Sequence, residues 1–233
     1  DSRRVIVNTI IIAVSKLVLN VIVPLVFALL LNEIRKMKFK KIVQTVVYLP
    51  HFLSWVILAS IFLELFSFRG AFNTIVSAFG VEPKIWFAEE KYFRQLVIFS
   101  DVWKEFGYNA VIYLAALTGV SQDLYEAAAI DGCSRLKAVW HITLPGIAPT
   151  IVVVAVLGLG NVLNAGFDQV FNLYSPIVYQ KADILDTYVY RLGMLNLQYS
   201  VSTAVGLFKS VISFILIASS FTLAKKFANY RIF

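Results

Sequence analysis

The sequence predicts an all-α, polytopic membrane protein, and three observations lead to this fold class. Apolar residues make up 59% of the chain and charged residues only 15%, which is unusual for a soluble domain. Several apolar stretches reach the roughly 20 residues that a bilayer-crossing helix needs. The net charge of +7 is spread over the edges of these stretches rather than along one face or arm, so it does not indicate nucleic-acid binding.

Five apolar stretches are expected to cross the membrane, and basic residues set their direction. Five Lys or Arg residues lie between positions 35 and 41, and three more follow the last stretch. Cytoplasmic ends of spans carry this excess, so segments 32–41 and 120–146 are expected inside and segments 67–94 and 168–200 outside. The chain opens on Asp1 without a methionine, and we expect the native N-terminus, with at least one more span, upstream. The expected spans are roughly 5–31, 42–66, 95–119, 147–167 and 201–224.

The polar loop at 120–146 carries the most specific pattern. An acidic N-cap at Asp123 and a helix-favouring run predict a short helix, and Gly132 is expected to interrupt it. Ser134 can cap a second short helix, which Pro145 with the following glycine is expected to end. Two short helices at an angle form a protruding docking element.

This loop resembles the EAA loop of permease subunits in binding-protein-dependent ABC importers. That pattern is Glu-Ala-Ala, three residues, Gly, nine residues and Ile-x-Leu-Pro. The segments 49–55 and 123–125 further resemble the maltose-type, carbohydrate-uptake branch, above all permeases for oligosaccharide and polysaccharide fragments. The loop matches the pattern at Glu126, Ala127, Ala128, Gly132, Ile142, Leu144 and Pro145.

The resemblance implies a type I importer permease fold over the whole chain, 1–233, as one transmembrane domain. It implies a second homologous permease, two ATPase subunits, an external solute-binding protein and a sugar substrate, in the inner membrane of a bacterium. The chain contains no phosphate-binding Gly-x-x-x-x-Gly-Lys-Ser/Thr loop, so ATP and magnesium are expected on the ATPases and no cofactor on this chain. The residues expected to couple the permease to the ATPases are Asp123, Glu126, Ala127, Ala128, Asp131, Gly132, Ile142, Leu144 and Pro145.

Polar residues inside the expected spans are candidates for the substrate path. Asn161, Asn164 and Asp168 recur at intervals of three and four, which places them on one helix face. Tyr108 and Asn109 lie mid-span in the preceding stretch. The resemblance to the maltose-type permease implies that Tyr108 and Asn164 are the residues that hold substrate. The alternative is that these groups only form hydrogen bonds between helices.

Charged residues inside the spans are a second set of candidates, because charges are costly in hydrocarbon. Asp101, Lys104 and Glu105 share a helix face and are expected to form a self-neutralised cluster in an outer vestibule. The alternative is that they lie at the water interface. Lys16 is expected to extend its ammonium group towards water.

Other functions are less favoured by the residues. A peptide or anion permease shares the loop, so it stays an alternative. A self-sufficient secondary transporter should show an inverted repeat or a buried ion-coupling carboxylate, and a membrane scaffold needs no aligned polar residues. His51 and His141 are too isolated for a metal site, and Cys133 is expected to serve packing.

Overall fold

The computed structural model describes residues 2–160 and 162–228, with side chains left out at 2, 221 and 223–228. Within these ranges the regular structure is helical, with short 3₁₀ and π turns and no strand. The all-α fold class is confirmed. The helices are α1 (Ser2–Asn32), α2 (Met37–Tyr48), α3 (Trp55–Leu65), α4 (Ala71–Ser77), α5 (Glu90–Thr118), α6 (Gln122–Ile130), α7 (Arg135–Ala138), α8 (Leu144–Gly160), α9 (Phe167–Leu173), α10 (Tyr179–Ala182), α11 (Leu185–Tyr190) and α12 (Tyr199–Ala228).

Three helical stretches in the described part are long and apolar enough to cross a bilayer: Arg3–Asn32, Arg135–Gly160 and Tyr199–Ser220. A fourth span arises if the bent pair Met37–Phe52 and Trp55–Leu65 is taken as one. Five spans are therefore not confirmed. Helix α5 has sufficient length, but Asp101 and its charged neighbours lower its apolar character.

The expected second span, 42–66, is not one continuous helix. Helix α2 begins earlier, a 3₁₀ turn covers Leu49–Phe52, and α3 begins only at Trp55. Pro50 has no N–H to donate and restricts the residue before it. Ser54 then starts a new helix, because its hydroxyl accepts a hydrogen bond from the amide of Ile57 at 3.4 Å.

The expected fourth span, 147–167, has different ends. The helix that contains it begins at Arg135 and finishes at Gly160, and residues 162–166 are non-helical before α9. Glycines at 158 and 160 favour this end, because glycine lowers helix stability.

The chain divides into two compact units. The first contains Asp1–Leu17, Phe52–Trp103 and Asn161–Ile215. Its core is formed by α3 packed on α9 together with parts of α1 and α5, and Phe93, Val97 and Ile12 are fully buried there. Asn8 of α1 adds a polar contact, since its amide donates to the Asp183 carbonyl at 3.0 Å.

The second unit contains Val18–His51, Lys104–Gly160 and Leu216–Phe233. Its core is a small cluster around Tyr113 and Ile147, with alanines at positions 28 and 110. Small residues let helix backbones approach closely. Gly107 shows this, because a Cβ there would overlap the carbonyl of Val47 on α2.

Candidate functional site

The first helix of the docking loop, α6, begins two residues earlier than an N-cap at Asp123 would set it. Ser121 is the N-cap, and its hydroxyl accepts a hydrogen bond from the Asp123 amide at 3.3 Å. The expected cap at Asp123 is therefore wrong. Asp123 instead lies in the first turn, where its negative charge complements the positive end of the helix.

Gly132 ends α6 in the manner the sequence predicts. Its φ of +69° is left-handed, and its amide donates to Ala129 O at 3.1 Å while the Cys133 amide donates to Ala128 O at 2.8 Å. These two bonds form a Schellman motif after Asp131, which occupies the C-cap. A Cβ at position 132 would meet nothing within 4 Å, so glycine is needed for backbone conformation rather than for space.

The second half of the loop does not form a separate helix, which is a correction. Ser134 precedes α7 as expected, but a π turn over Val139–Thr143 continues directly into α8, and Pro145 lies in the first turn of α8 without ending it. A proline is tolerated there because the wider π turn displaces the carbonyl that its ring would meet. The loop and the following apolar helix thus form one continuous rod.

Contacts within the second unit tie α6 to this rod. The hydroxyls of Tyr125 and Thr143 lie 2.9 Å apart. Arg135 forms an exposed ion pair with Glu33 at 3.6 Å, which contributes little by itself. A cavity of about 400 Å³ lies between the end of α1 and α6–α7, and Cys133 is among its lining residues.

Large apolar side chains are exposed on both halves of the loop. Ile130 is 87% exposed and Trp140 is 69% exposed, and Leu124 and Leu136 are also exposed. Glu126, Ala127 and Pro145 are exposed, whereas Ala128, Ile142 and Leu144 are half-buried. An exposed set of large apolar residues is typical of a protein-binding surface.

Tyr108 and Asn109 lie on α5 in the second unit. Tyr108 is 45% exposed, and its ring stacks on His51 with centroids 3.9 Å apart and an interplanar angle of 2°. His51 Nδ1 lies 2.6 Å from Glu105 Oε2. From the sequence, His51 is only an isolated histidine that is not expected to bind a metal. Its contact with Glu105 is not predictable from local sequence, because Glu105 is 54 positions away.

The expected cluster of Asp101, Lys104 and Glu105 is not self-contained. Lys104 pairs with Glu105 at 2.8 Å and donates to the carbonyl of His51 at 2.7 Å. Asp101, in the first unit, pairs with Lys16 of α1 at 3.1 Å. Lys16 is buried rather than extended towards water, so that expectation is wrong.

Asn164 and Asp168 do not lie on one face of a continuous helix. Asn164 belongs to the non-helical segment 162–166, and Asp168 lies in the first turn of α9. Both are exposed in the first unit. Asn161 lies outside the described residues. Gly166 precedes α9 with a φ of +94°, a conformation that favours glycine.

A second polar cluster lies in the segment expected outside the membrane. The buried Asp183 pairs with Arg191, whose guanidinium lies over the ring of Tyr179 at 4.5 Å. Burial, together with Tyr179, raises the pKa of Tyr174 to about 12. Burial lowers the pKa of Arg191, but the Asp183 hydrogen bond and charge raise it further, so its pKa lies above the ordinary value. Both groups therefore keep their protons near neutral pH.

Among the described residues no group of three His, Cys, Asp or Glu side chains is placed to hold a metal ion.

Comparison with known proteins identifies the family. Residues 20–229 match the family model of the binding-protein-dependent transport system inner membrane component. The chain belongs to this family. It is 42% identical over 234 residues to protein LplB of Bacillus subtilis strain 168, covering 100% of this chain and 74% of that protein. It is 43% identical over 227 residues to the polygalacturonan/rhamnogalacturonan transport system permease protein YteP of the same organism, covering 97% and 71%.

Solved structures agree with this assignment. A chain in the crystal structure of a bacterial ABC transporter involved in the import of the acidic polysaccharide alginate superposes with a TM-score of 0.92 at 36% identity. The match covers 96% of this permease and 79% of that chain. An amino acid ABC transporter, at 13% identity and a TM-score of 0.56, shares the fold alone. The expected permease family and type I importer fold are thus confirmed.

Proposed function

We propose that this permease carries oligosaccharide fragments of an acidic polysaccharide across the inner membrane of a bacterium, from an external solute-binding protein into the cytoplasm. YteP is named for polygalacturonan and rhamnogalacturonan, and the solved structure at 36% identity serves alginate import. Polymers rich in sugar carboxylates are common to both.

The importer would contain this chain, a second homologous permease and two ATPase subunits that hold ATP and magnesium. A related structure contains an alginate pentasaccharide-bound periplasmic protein, which supports a binding protein as the sugar donor. This chain would act as the conduit and perform no hydrolysis.

The geometry of the docking loop is the observation that carries the transport mechanism. Exposed Ile130 and Trp140 offer apolar anchors for an ATPase subunit, and exposed Glu126 offers an acidic group for a basic partner. Because α7, the π turn and α8 are continuous, a displacement of the loop would be passed directly to an apolar helix. Closure of the ATPase dimer would thereby bias the permease between inward-open and outward-open states.

The sugar path is proposed to use Tyr108, Asn109, Asn164 and Asp168, together with Asn161. Amides and a carboxylate are suited to sugar hydroxyls, because amides donate and accept while a carboxylate accepts. Exposed aromatic rings supply the apolar contact that ligand sites combine with polar groups, and Tyr108 supported by His51 fits this role.

The proposal is tested by stimulation of ATP hydrolysis in the assembled importer with its binding protein. Trigalacturonate and alginate pentasaccharide are compared with the neutral maltotriose and with trialanine. We expect stimulation by at least one acidic sugar and little by maltotriose. Stimulation by maltotriose alone would replace the acidic sugar with a neutral one, and stimulation by trialanine alone would overturn a carbohydrate substrate altogether.

A further inference from the structure

Lys16 is a charged residue in the middle of an apolar helix, and its side chain is 8% exposed. Its ammonium group pairs with Asp101 at 3.1 Å, donates to the carbonyl of Ala165 at 2.8 Å and donates to the side-chain oxygen of Gln169. A buried charge within a span is costly and is retained where it serves a function. The contacts of Lys16 therefore indicate what it does.

The carbonyl of Ala165 belongs to the interruption between α8 and α9. The first bond of α9 runs from the Val170 amide to the Gly166 carbonyl at 3.0 Å, so Ala165 lies just before the ladder of that helix. A buried carbonyl outside a helix at membrane depth needs a donor from the protein or from water. Lys16 supplies that donor from α1.

Gly166 lies close to the same ammonium group. Its φ of +94° is strained for other residues, and a Cβ there would lie 2.8 Å from Lys16 Nζ and 3.4 Å from Gln169 Oε1. Glycine is thus needed both for the backbone turn and for the room that Lys16 occupies. The non-helical segment 162–166 thus leaves room for the ammonium group of Lys16.

Gln169 connects this arrangement to α5. Its amide nitrogen donates to the carbonyl of Val97 at 2.7 Å and to the hydroxyl of Ser100 at 2.8 Å. The side chain is fully buried. Consequently α1, α5 and the segment before α9 are held by one polar network inside the first unit.

We propose that Lys16 is a positioning residue that holds segment 162–168 in its non-helical shape and so sets where Asn164 and Asp168 stand. This role rests on the proposed function, in which that segment contacts the sugar. Lys16 itself does not touch the sugar, because it is enclosed by the Asp101, Ala165 and Gln169 contacts.

A different role, in which Lys16 only neutralises Asp101, makes an opposite prediction. The single variant Lys16→Met would leave a buried carboxylate without this partner, which is costly in itself. The double variant Lys16→Met/Asp101→Asn removes both charges. If charge neutralisation is the whole role, the double variant behaves like wild type, whereas a positioning role leaves it defective.

The experiment measures the rate at which a maleimide labels Asn164→Cys, in a Cys133→Ser background and in the assembled importer without sugar. We expect Lys16→Met to change this rate roughly ten-fold or more, the size of effect expected from loss of a charged hydrogen bond. The double variant should show the same change. Lys16→Arg, which keeps the charge and donors, should restore the rate at least in part.

Two further variants test whether the labelling change is specific to the contact between Lys16 and segment 162–168. Gly166→Ala places a methyl group against the Lys16 ammonium from the other side and should reproduce the labelling change. Lys209→Met removes another lysine of an apolar helix, one that pairs with Asp186 instead, and should leave the rate within about two-fold, because that ion pair joins α11 to α12 and does not hold segment 162–168.

Uptake of trigalacturonate, measured with native Asn164, separates this inference from the proposed function. Lys16→Met should raise KM while basal ATP hydrolysis persists. Altered labelling with an unchanged KM would support positioning by Lys16 and remove segment 162–168 from the sugar path. Unaltered labelling in both Lys16→Met and Gly166→Ala, or wild-type labelling in the double variant, would overturn the inference.

Discussion

Replacing Gly132 with valine should weaken coupling between the permease and its ATPases. Gly132 has a φ of +69°, and an L-residue in this left-handed region costs roughly 1–2 kcal/mol. A β-branched side chain is a stronger outlier there. No steric clash adds to this cost, because a Cβ at position 132 has nothing within 4 Å.

A cost of this size is large for a short helix end. Roughly 1–2 kcal/mol corresponds to about a 5- to 30-fold change in an equilibrium constant. The equilibrium here is between the loop with its left-handed turn at Gly132 and a loop in which that turn is distorted. The two Schellman bonds from Gly132 and Cys133 would be lost together. The exposed apolar residues of α6 would then no longer be held at a fixed angle to α7.

The assay is sugar-stimulated ATP hydrolysis in the assembled importer, together with retention of the ATPase subunit on purification. Stimulation should fall in the order Gly132→Asn, Gly132→Ala and Gly132→Val, because asparagine tolerates the left-handed conformation better than alanine does. Gly132→Asn is the matched control, since it adds a side chain at little backbone cost. Equal stimulation in the asparagine and valine variants would refute the role of the backbone turn.

Two further predictions concern topology and the sugar path. In a cysteine-free background, a cysteine at Glu89 should react with an impermeant thiol reagent added outside cells and one at Lys38 should not; labelling of Lys38 alone would invert the expected orientation. Replacing Asn164 or Asp168 with alanine should lower trigalacturonate uptake several-fold, since a lost hydrogen bond costs about 0.5–1.5 kcal/mol and up to about 3 with a charged partner. The exposed Asn196 is the matched control for these substitutions, and wild-type uptake in both variants would show that the path runs elsewhere.

Features set by local sequence could be predicted well. The expected spans 5–31 and 201–224 correspond to α1 and α12, because long apolar runs define helices of this kind regardless of their neighbours. The left-handed turn at Gly132 follows from glycine after a helix-favouring run. Both signals are contained in a few consecutive residues.

Features that depend on residues far away in the chain could not be predicted from the sequence. The shape of segment 162–166 involves Lys16, which is 149 positions from Ala165. The stacking of His51 on Tyr108 likewise joins two segments far apart in the chain. The sequence does not predict the continuity of the helix through Pro145, because a π turn, unlike a helix stop, has no clear residue signature.

At each of the two helix interruptions a lysine donates a hydrogen bond to a carbonyl outside the α-helices and pairs with a carboxylate. At the interruption between α2 and α3, Lys104 donates to the carbonyl of His51 and pairs with Glu105. At the interruption between α8 and α9, Lys16 donates to the carbonyl of Ala165 and pairs with Asp101. Irregular backbone at membrane depth is tolerated only where protein or a water-filled cavity satisfies it, and here a lysine does so in each case. Because each lysine has its own carboxylate, the interruptions carry little net charge. Within the first unit Lys16 thereby holds the backbone next to the exposed Asn164. Within the second unit Lys104 holds the backbone of His51, the residue on which the exposed Tyr108 stacks.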